Sequence, residues 1–247
     1  MPLQLAMPVD NVAPTASALA RYDWPSLLQQ LDSRGFAVLP GLLDHFSCDA
    51  MTMLYQHEAA FRSRVIMARH GFGQGEYQYF SYPLPAIVQQ LRHHLYPLLQ
   101  PLANQWALRL GQPSRFPPEH PQFITQCHQA GQSRPTPLLL RYGPGDYNCL
   151  HQDLYGEQIF PLQLAVLLSA PEVDFQGGEF VLTEQRPRMQ SRVQVVALNK
   201  GDGVMFAVSS RPVAGSRGNY RAAMRHGVSE VTAGNRYTLG IIFHDAQ

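Results

Sequence analysis

Apolar positions in the first half of the chain recur at helical spacing; beyond Pro137 the spacing shortens to two. Residues 24–35 read as a helix, with Asp23 as N-cap, Pro25 in the first turn and Gly35 as the stop. Phe36-Ala37-Val38-Leu39 reads as a strand, and a second helix is expected from Cys48 to about Arg64. Residues 86–110 carry helical periodicity that Pro97 and Pro101 are expected to kink or break, and a short helix is expected over 121–130. After Pro137, short runs of Val, Ile, Leu, Phe and Tyr alternate with Gly, Pro, Asn and Asp. They predict strands near 138–143, 149–155, 161–169, 179–183, 192–198, 203–208, 225–231 and 236–243. So many short strands argue for a sandwich, jelly roll or barrel, giving a mainly β protein with flanking helices of the α+β class. One sheet face would need cover, so the helical first half is expected to pack on it. The expected division is a flexible leader at 1–20 and a single domain at 21–247, with helical support at 21–135 and a β core at 136–247.

Composition narrows the function classes. Charged residues make up 15% of the 247 positions and the formal net charge is +1, which argues against a uniformly basic nucleic-acid coat and an acidic tail alike. Eighteen of the nineteen basic residues are Arg; Lys200 is the exception. Cys48, Cys127 and Cys149 are odd in number and form no Cys-x-x-Cys pair, which disfavours a disulfide scaffold or a cysteine zinc site and suits a reduced, cytoplasmic setting. Residues 1–20 hold no basic residue and no continuous apolar core, unlike a signal peptide. The most apolar run, 160–170, is broken by Pro161 and Gln163, so no membrane span is expected.

The chemistry concentrates in His151-Gln152-Asp153. On a strand, His151 and Asp153 share a face, where an imidazole nitrogen and a carboxylate oxygen can bind one metal ion. Such a tripeptide needs a third ligand, and His226 is the candidate. Two histidines and one carboxylate occupy three positions of an octahedral iron(II) and leave three for substrate chemistry. His244, the pair His93/His94, and His120 with His128 are read as structural or solvated. Ten residues after His226, Arg236 and Thr238 share a strand face, and a guanidinium beside a hydroxyl is a good carboxylate receptor. A cosubstrate that chelates iron at one end and carries a second carboxylate, as 2-oxoglutarate does, would need such a group.

Leu139-Leu140-Arg141-Tyr142-Gly143, His151-x-Asp153, Gly177-Gly178-Glu179-Phe180, Gly201-Asp202-Gly203 and the block from His226 to Arg236 occur in an order that resembles the iron(II)/2-oxoglutarate-dependent oxygenase superfamily, in its prolyl-hydroxylase-like and AlkB-like branches. The resemblance covers roughly 138–245. More narrowly, 148–157, 184–191, 225–229 and, in the first half, 70–85 resemble a bacterial subfamily assigned as probable oxygenases of damaged nucleic-acid bases. The resemblance implies a distorted double-stranded β-helix, or jelly roll, with helices flanking its major sheet. It implies His151, Asp153 and His226 as iron(II) ligands and catalytic centre, and Arg236 as the 2-oxoglutarate anchor. Tyr142 and Thr238 are implied as its helpers, while Asn148 is placed near the iron-proximal carboxylate by position. The implied enzyme consumes 2-oxoglutarate and dioxygen, releases succinate and carbon dioxide, and hydroxylates a C–H bond. On an N-methyl base the resulting hemiaminal would collapse to formaldehyde and the free base.

Two segments bear on the substrate. Arg186, Arg188, Arg192, Arg211, Arg217, Arg221 and Arg225 read as a rim able to face phosphate, or else as a solvated or internally paired set. The glycine-spaced aromatic segment 70–82 reads as a lid able to stack on a flipped base, or else as packing between helices and barrel. Three functions follow: an oxygenase of an alkylated nucleobase in DNA or RNA, a hydroxylase of a free or peptide-bound amino acid, and a cupin-like metal-binding module without redox chemistry. The Arg236 anchor argues against the third.

Overall fold

The computed structural model describes residues 16–247 except 114, 155 and 217. The first half supplies helices α1 (Ala16–Leu19), α2 (Trp24–Arg34), α3 (His45–Leu54), α4 (Ala86–Arg109) and α5 (His120–Gln129). It also supplies strands β1 (Phe36–Leu39), β2 (Phe61–Ile66), β3 (Gly73–Gln74) and β4 (Glu76–Phe80). The second half is β throughout. Its strands are β5 (Leu138–Tyr142), β6 (Tyr147–His151), β7 (Leu162–Leu167), β8 (Phe175–Gly177), β9 (Phe180–Gln185) and β10 (Arg192–Val196). They continue with β11 (Gly203–Ala207), β12 (Ser210–Gly215), β13 (Gly218–Val228), β14 (Val231–Gly234) and β15 (Arg236–Ile242).

Local chemistry explains the helix ends. The Asp23 carboxylate accepts from the Ser26 backbone N–H at 3.2 Å, and Gly35 closes α2 in the left-handed region at φ 82°. Asp44 caps α3 through the Ser47 N–H at 2.7 Å. The helix expected over 48–64 is shorter than that: α3 stops at Leu54, and β2 pairs antiparallel with β4. α4 is continuous through Pro97 and Pro101, where the sequence predicted a kink or break. Both prolines lie on its solvent face, where a lost backbone hydrogen bond is replaced by water, while Leu91, Leu95, Leu99 and Trp106 stay buried. Leu19, within the expected flexible leader, is packed in the core, and residues 1–15 of that segment lie outside the described residues.

The main sheet has seven strands in the order β1-β11-β7-β15-β5-β4-β2, and a second sheet runs β10-β9-β13-β6-β3 with β12 paired to β13. The first half is therefore more than helical support, since it contributes β1, β4 and β2 to the main sheet. Alternation gives that sheet two buried faces. Leu139, Leu164, Val166, Leu239 and Ile241 join Leu27, Leu31, Leu91, Leu95 and Trp106 in one core beneath the helices. On the other face, Ala165, Val204 and Phe206 pack with Phe180, Leu182 and Val196 of the second sheet. The strand expected near 225–231 is the end of β13; β12 and the first part of β13 escaped the sequence reading because their arginines, serines and glycines look like loop. No helix among the described residues is long and apolar enough to cross a membrane.

The chain end is locked to the helices by Asp245. Its carboxylate takes a 2.9 Å bond from the Arg92 guanidinium, and Tyr82 and His128 bind its other oxygen. Burial alone would raise its pKa, but Arg92 and the hydrogen bonds hold it below the ordinary aspartate value. A depressed carboxylate stabilises the fold above its unfolded pKa of about 3.9, and that stabilisation is lost as pH falls through the folded value. Asp245→Ala strands the buried Arg92 charge, so chemical denaturation at neutral pH should show a loss of about 3–5 kcal/mol. The gap between variant and wild type should shrink once the pH drops below about 4; a gap independent of pH would show that the ion pair is not the source.

Candidate active site

Between the two facing sheets lies a cavity of about 200 Å³ that opens to solvent. His151 ends β6, Asp153 follows it, and His226 lies directly opposite His151 in the β13–β6 ladder. Pairing β13 with β6 thus brings together residues 75 positions apart in the chain. His151 Nε2 is 3.4 Å from Asp153 Oδ1, and His226 Nε2 is 3.3 Å from Asp153 Oδ2. One ligand atom from each of the three lies within 4.8 Å of the others. His151 Nδ1 donates to the Cys149 carbonyl at 2.8 Å, which fixes the ring with Nε2 turned toward the Asp153 carboxylate. The His226 ring is buried against Phe206 at 4.6 Å between centroids. Burial opposes ionisation of Asp153, but hydrogen bonds from both histidines hold its pKa well below the usual value, so it presents a carboxylate.

At the start of β15, Arg236 pairs in register with Tyr142 of β5. Its guanidinium is buried over the Tyr142 and Phe175 rings and donates to Thr238 Oγ1 at 2.6 Å. Burial pushes its pKa down to about 10, which still leaves it cationic at neutral pH. Its Nε has no hydrogen-bond partner among the described residues. Gly178 makes room for this side chain: at φ 63° it suits glycine, and a Cβ there would sit 2.9 Å from Arg236 Cδ. Asn148 Nδ2 donates to the Tyr142 hydroxyl at 3.2 Å. All seven residues singled out in the sequence, His151, Asp153, His226, Arg236, Tyr142, Thr238 and Asn148, line this one cavity.

The walls also include residues the sequence reading passed over. Phe180 and Phe206 back the His226 ring, Leu138, Leu140, Ala165 and Gly240 form the floor, and Gln163 lies buried among them. Gln163 had a visible signal, a lone amide in an apolar strand. The phenylalanines had none, because wall residues and core residues share one alphabet.

The two substrate segments fare differently. Most of 70–82 is packed: β4 lies inside the main sheet, and Tyr77, Gln78 and Phe80 are buried. Phe72 alone among its aromatics both lines the cavity and stays exposed, at 46%, stacked on His70. Its carbonyl accepts from the Cys149 N–H at 2.9 Å, which ties this stretch to β6. The arginines do not ring the cavity. Arg211 is buried in an ion pair with Glu184, and Arg186 binds the other oxygen of the same carboxylate. Arg221 and Arg225 leave β13 on the face opposite His226. Arg217 lies outside the described residues. His244 and His120 are buried and hydrogen-bonded to the backbone, and neither lines the cavity.

Residues 75–246 match the model of a protein family described as an oxygenase catalysing oxidative methylation of damaged DNA. Proteins from two strains of Mycobacterium tuberculosis, both described as uncharacterized, are 48% identical over 167 residues, which is 68% of this chain and 72% of theirs. Among solved structures, a Pseudomonas putida prolyl-4-hydroxylase aligns with a TM-score of 0.54 at 13% identity, over 88% of this chain and 96% of its own. An oxidoreductase of the 2-oxoglutarate–iron(II) oxygenase family from Burkholderia pseudomallei gives 0.52 at 16% identity, over 92% and 94%. At such identities these two show a shared fold.

Manganese(II) titrated into the metal-free protein should bind with a stoichiometry of about one and raise the melting temperature through mass action. His151→Ala or His226→Ala should each remove that tight site while keeping the native circular dichroism spectrum. Retention of the site in the double variant would sink the triad.

Proposed function

Because the chain belongs to the oxygenase family that its residues 75–246 match, we propose that it is an iron(II)/2-oxoglutarate-dependent dioxygenase acting on an alkylated base of DNA or RNA. The observation that carries this reading is the cavity with a His-Asp-His triad on one wall and, on the other, a buried arginine whose Nε has no partner among the described residues. The residues fit the missing groups. Two neutral imidazoles and a carboxylate are the donor set of an iron(II) oxygenase, and the open Arg236 guanidinium suits a carboxylate. Bound iron(II) would supply the oxidation that couples conversion of 2-oxoglutarate and dioxygen into succinate and carbon dioxide to hydroxylation of a substrate C–H bond.

The chain's own residues bind, orient and exclude water. His151, Asp153 and His226 are assigned as the ligands, with the His151 tautomer fixed by the Cys149 carbonyl. Arg236, steadied by Thr238, holds the distal carboxylate of 2-oxoglutarate with Tyr142 beside it; Asn148, which donates to the Tyr142 hydroxyl, stands toward the iron-proximal carboxylate. Phe180, Phe206 and Leu138 keep the surroundings dry, which strengthens each of these contacts. The substrate enters past Phe72, whose exposed ring offers a stacking platform for an extruded base. Hydroxylating an N-methyl group on that base gives a hemiaminal that loses formaldehyde, so the net result is removal of the methyl group.

Further expectations fit this reading. The site between facing sheets supports a distorted double-stranded β-helix, and the strands given by the first half support one oxygenase domain over 21–247. Three unpaired cysteines support a reducing, cytoplasmic setting.

Succinate release, measured across single-stranded oligonucleotides with N-methyl bases, peptides and free amino acids, tests the substrate. Coupled formaldehyde release is expected from a methylated oligonucleotide; coupled turnover of a peptide or amino acid alone would replace the nucleobase by an amino-acid substrate. Arg236→Gln should weaken 2-oxoglutarate roughly 10- to 100-fold, the worth of a charged hydrogen bond, and leave metal affinity unchanged. Phe72→Ala should raise the oligonucleotide KM by the equivalent of about 1–3 kcal/mol of lost stacking without touching 2-oxoglutarate affinity. An unchanged KM would remove Phe72 from the substrate path.

A further inference from the structure

Gln163 is out of character with its strand. β7 is buried at every position, and its other residues are Leu, Ala and Val. Gln163 is 3% exposed, lines the cavity, and its Nε2 has no hydrogen-bond partner among the described residues. A buried amide donor without an acceptor costs about 1–3 kcal/mol, so its place is explained if something absent from the free chain accepts from it.

Strand register locates that acceptor. On the cavity face, Gln163 stands beside Phe206 of β11 and Ile242 of β15, and Phe206 is the ring against His226. Arg236 lies six residues from Ile242 down the same strand, roughly 20 Å away along the backbone. Its guanidinium leans back up the strand, since it donates to Thr238. Between the two ends the floor is Ala165 beside Gly240, its register partner, with the Leu138 side chain lying over Gly240. The result is a trough with an unfilled donor at each end and the triad over the Gln163 end. A molecule with a carboxylate at both ends would meet both donors, whereas a macromolecular substrate held at the mouth does not reach an amide that is only 3% exposed.

We propose that Gln163 is a second clamp on the cosubstrate: its side-chain amide donates to the metal-proximal carboxylate of 2-oxoglutarate, opposite the Arg236 grip on the distal carboxylate. This rests on the dioxygenase reading above. Gln163 acts as a binding and positioning residue, and it sets how the keto acid lies on the metal.

Binding to the manganese(II)-loaded protein tests it without turnover. Calorimetric titrations with 2-oxoglutarate and with 2-oxobutyrate, which lacks the distal carboxylate, would be compared across variants. Gln163→Leu should weaken both keto acids by a similar factor, roughly 10-fold, and keep the ratio between them. Gln163→Glu, nearly the same shape but anionic, should weaken both further. Arg236→Gln should instead collapse the ratio by weakening 2-oxoglutarate selectively. Manganese affinity should persist in every variant, which confirms an intact site. If both Gln163 variants bind 2-oxoglutarate like wild type while Arg236→Gln does not, the clamp is wrong and the dioxygenase reading stands. If the wild-type protein binds no 2-oxoglutarate, that reading falls and takes the clamp with it. Normal keto-acid binding with lost turnover of a methylated oligonucleotide would also overturn the clamp, assigning Gln163 to the substrate.

Discussion

The site depends on strands buried on both faces. In β15, Leu239 and Ile241 face the helical layer, which turns Arg236, Thr238, Gly240 and Ile242 toward the cavity. In β7, Leu164 and Val166 do the same, and so aim Gln163 and Ala165 inward. Because the period is two, a slip of one residue would exchange the two sets, placing a guanidinium in the helical core and leucines in the cavity. Burial beneath α4 and α2 makes that slip prohibitive. The helical layer lies far from the chemistry, yet it holds the anchor in place.

Facing that floor, the second sheet carries the proposed metal ligands. Pairing of β13 with β6 sets His226 opposite His151, and a register shift just beyond His226 lets Asn148 face Val228. The centre is expensive in stability. Arg236 Nε, His226 Nδ1 and Gln163 Nε2 are buried without partners among the described residues, while at Gly240 the Leu138 side chain lies so close that a Cβ would come within 2.9 Å of it. Arg92 Nε, Gln194 Nε2 and His244 Nε2 are likewise unpartnered but lie outside the cavity; the three that meet beside the triad suit a place prepared for ligands, and the Arg92–Asp245 pair and the two-faced core offset their cost.

The sequence carried the chemical half of this site and little of its scaffold. His151, Asp153, His226, Arg236 and Thr238 were legible because chemistry restricts residue type and alternation restricts spacing, so few patterns satisfy both. α2 and β1 were legible from caps and from a glycine stop. The region 61–80 was not: β2 and β4 are polar and aromatic strands that pair with each other, and only β4 joins them to β5, a partner far along the chain. The arginines of the β12–β13 hairpin misled for a related reason. Charge count locates basic residues in the chain, but only the fold shows that Arg211 faces Glu184 inside the protein and that Arg221 and Arg225 point away from His226. Gln163 lay in plain view as an interruption of an apolar run; register alone gives it a neighbour.

The central claim is that one cavity holds iron and keto acid together, joined by the chain's triad and its buried arginine. Anaerobic visible spectroscopy tests this directly, since chelation of iron(II) by an α-keto acid produces a charge-transfer band that neither component shows alone. The account predicts a band that appears only when protein, iron(II) and 2-oxoglutarate are all present, saturates at one equivalent of each, and is absent from His226→Ala. No band at saturating iron(II) and 2-oxoglutarate, or a band of equal strength in His226→Ala, would contradict it.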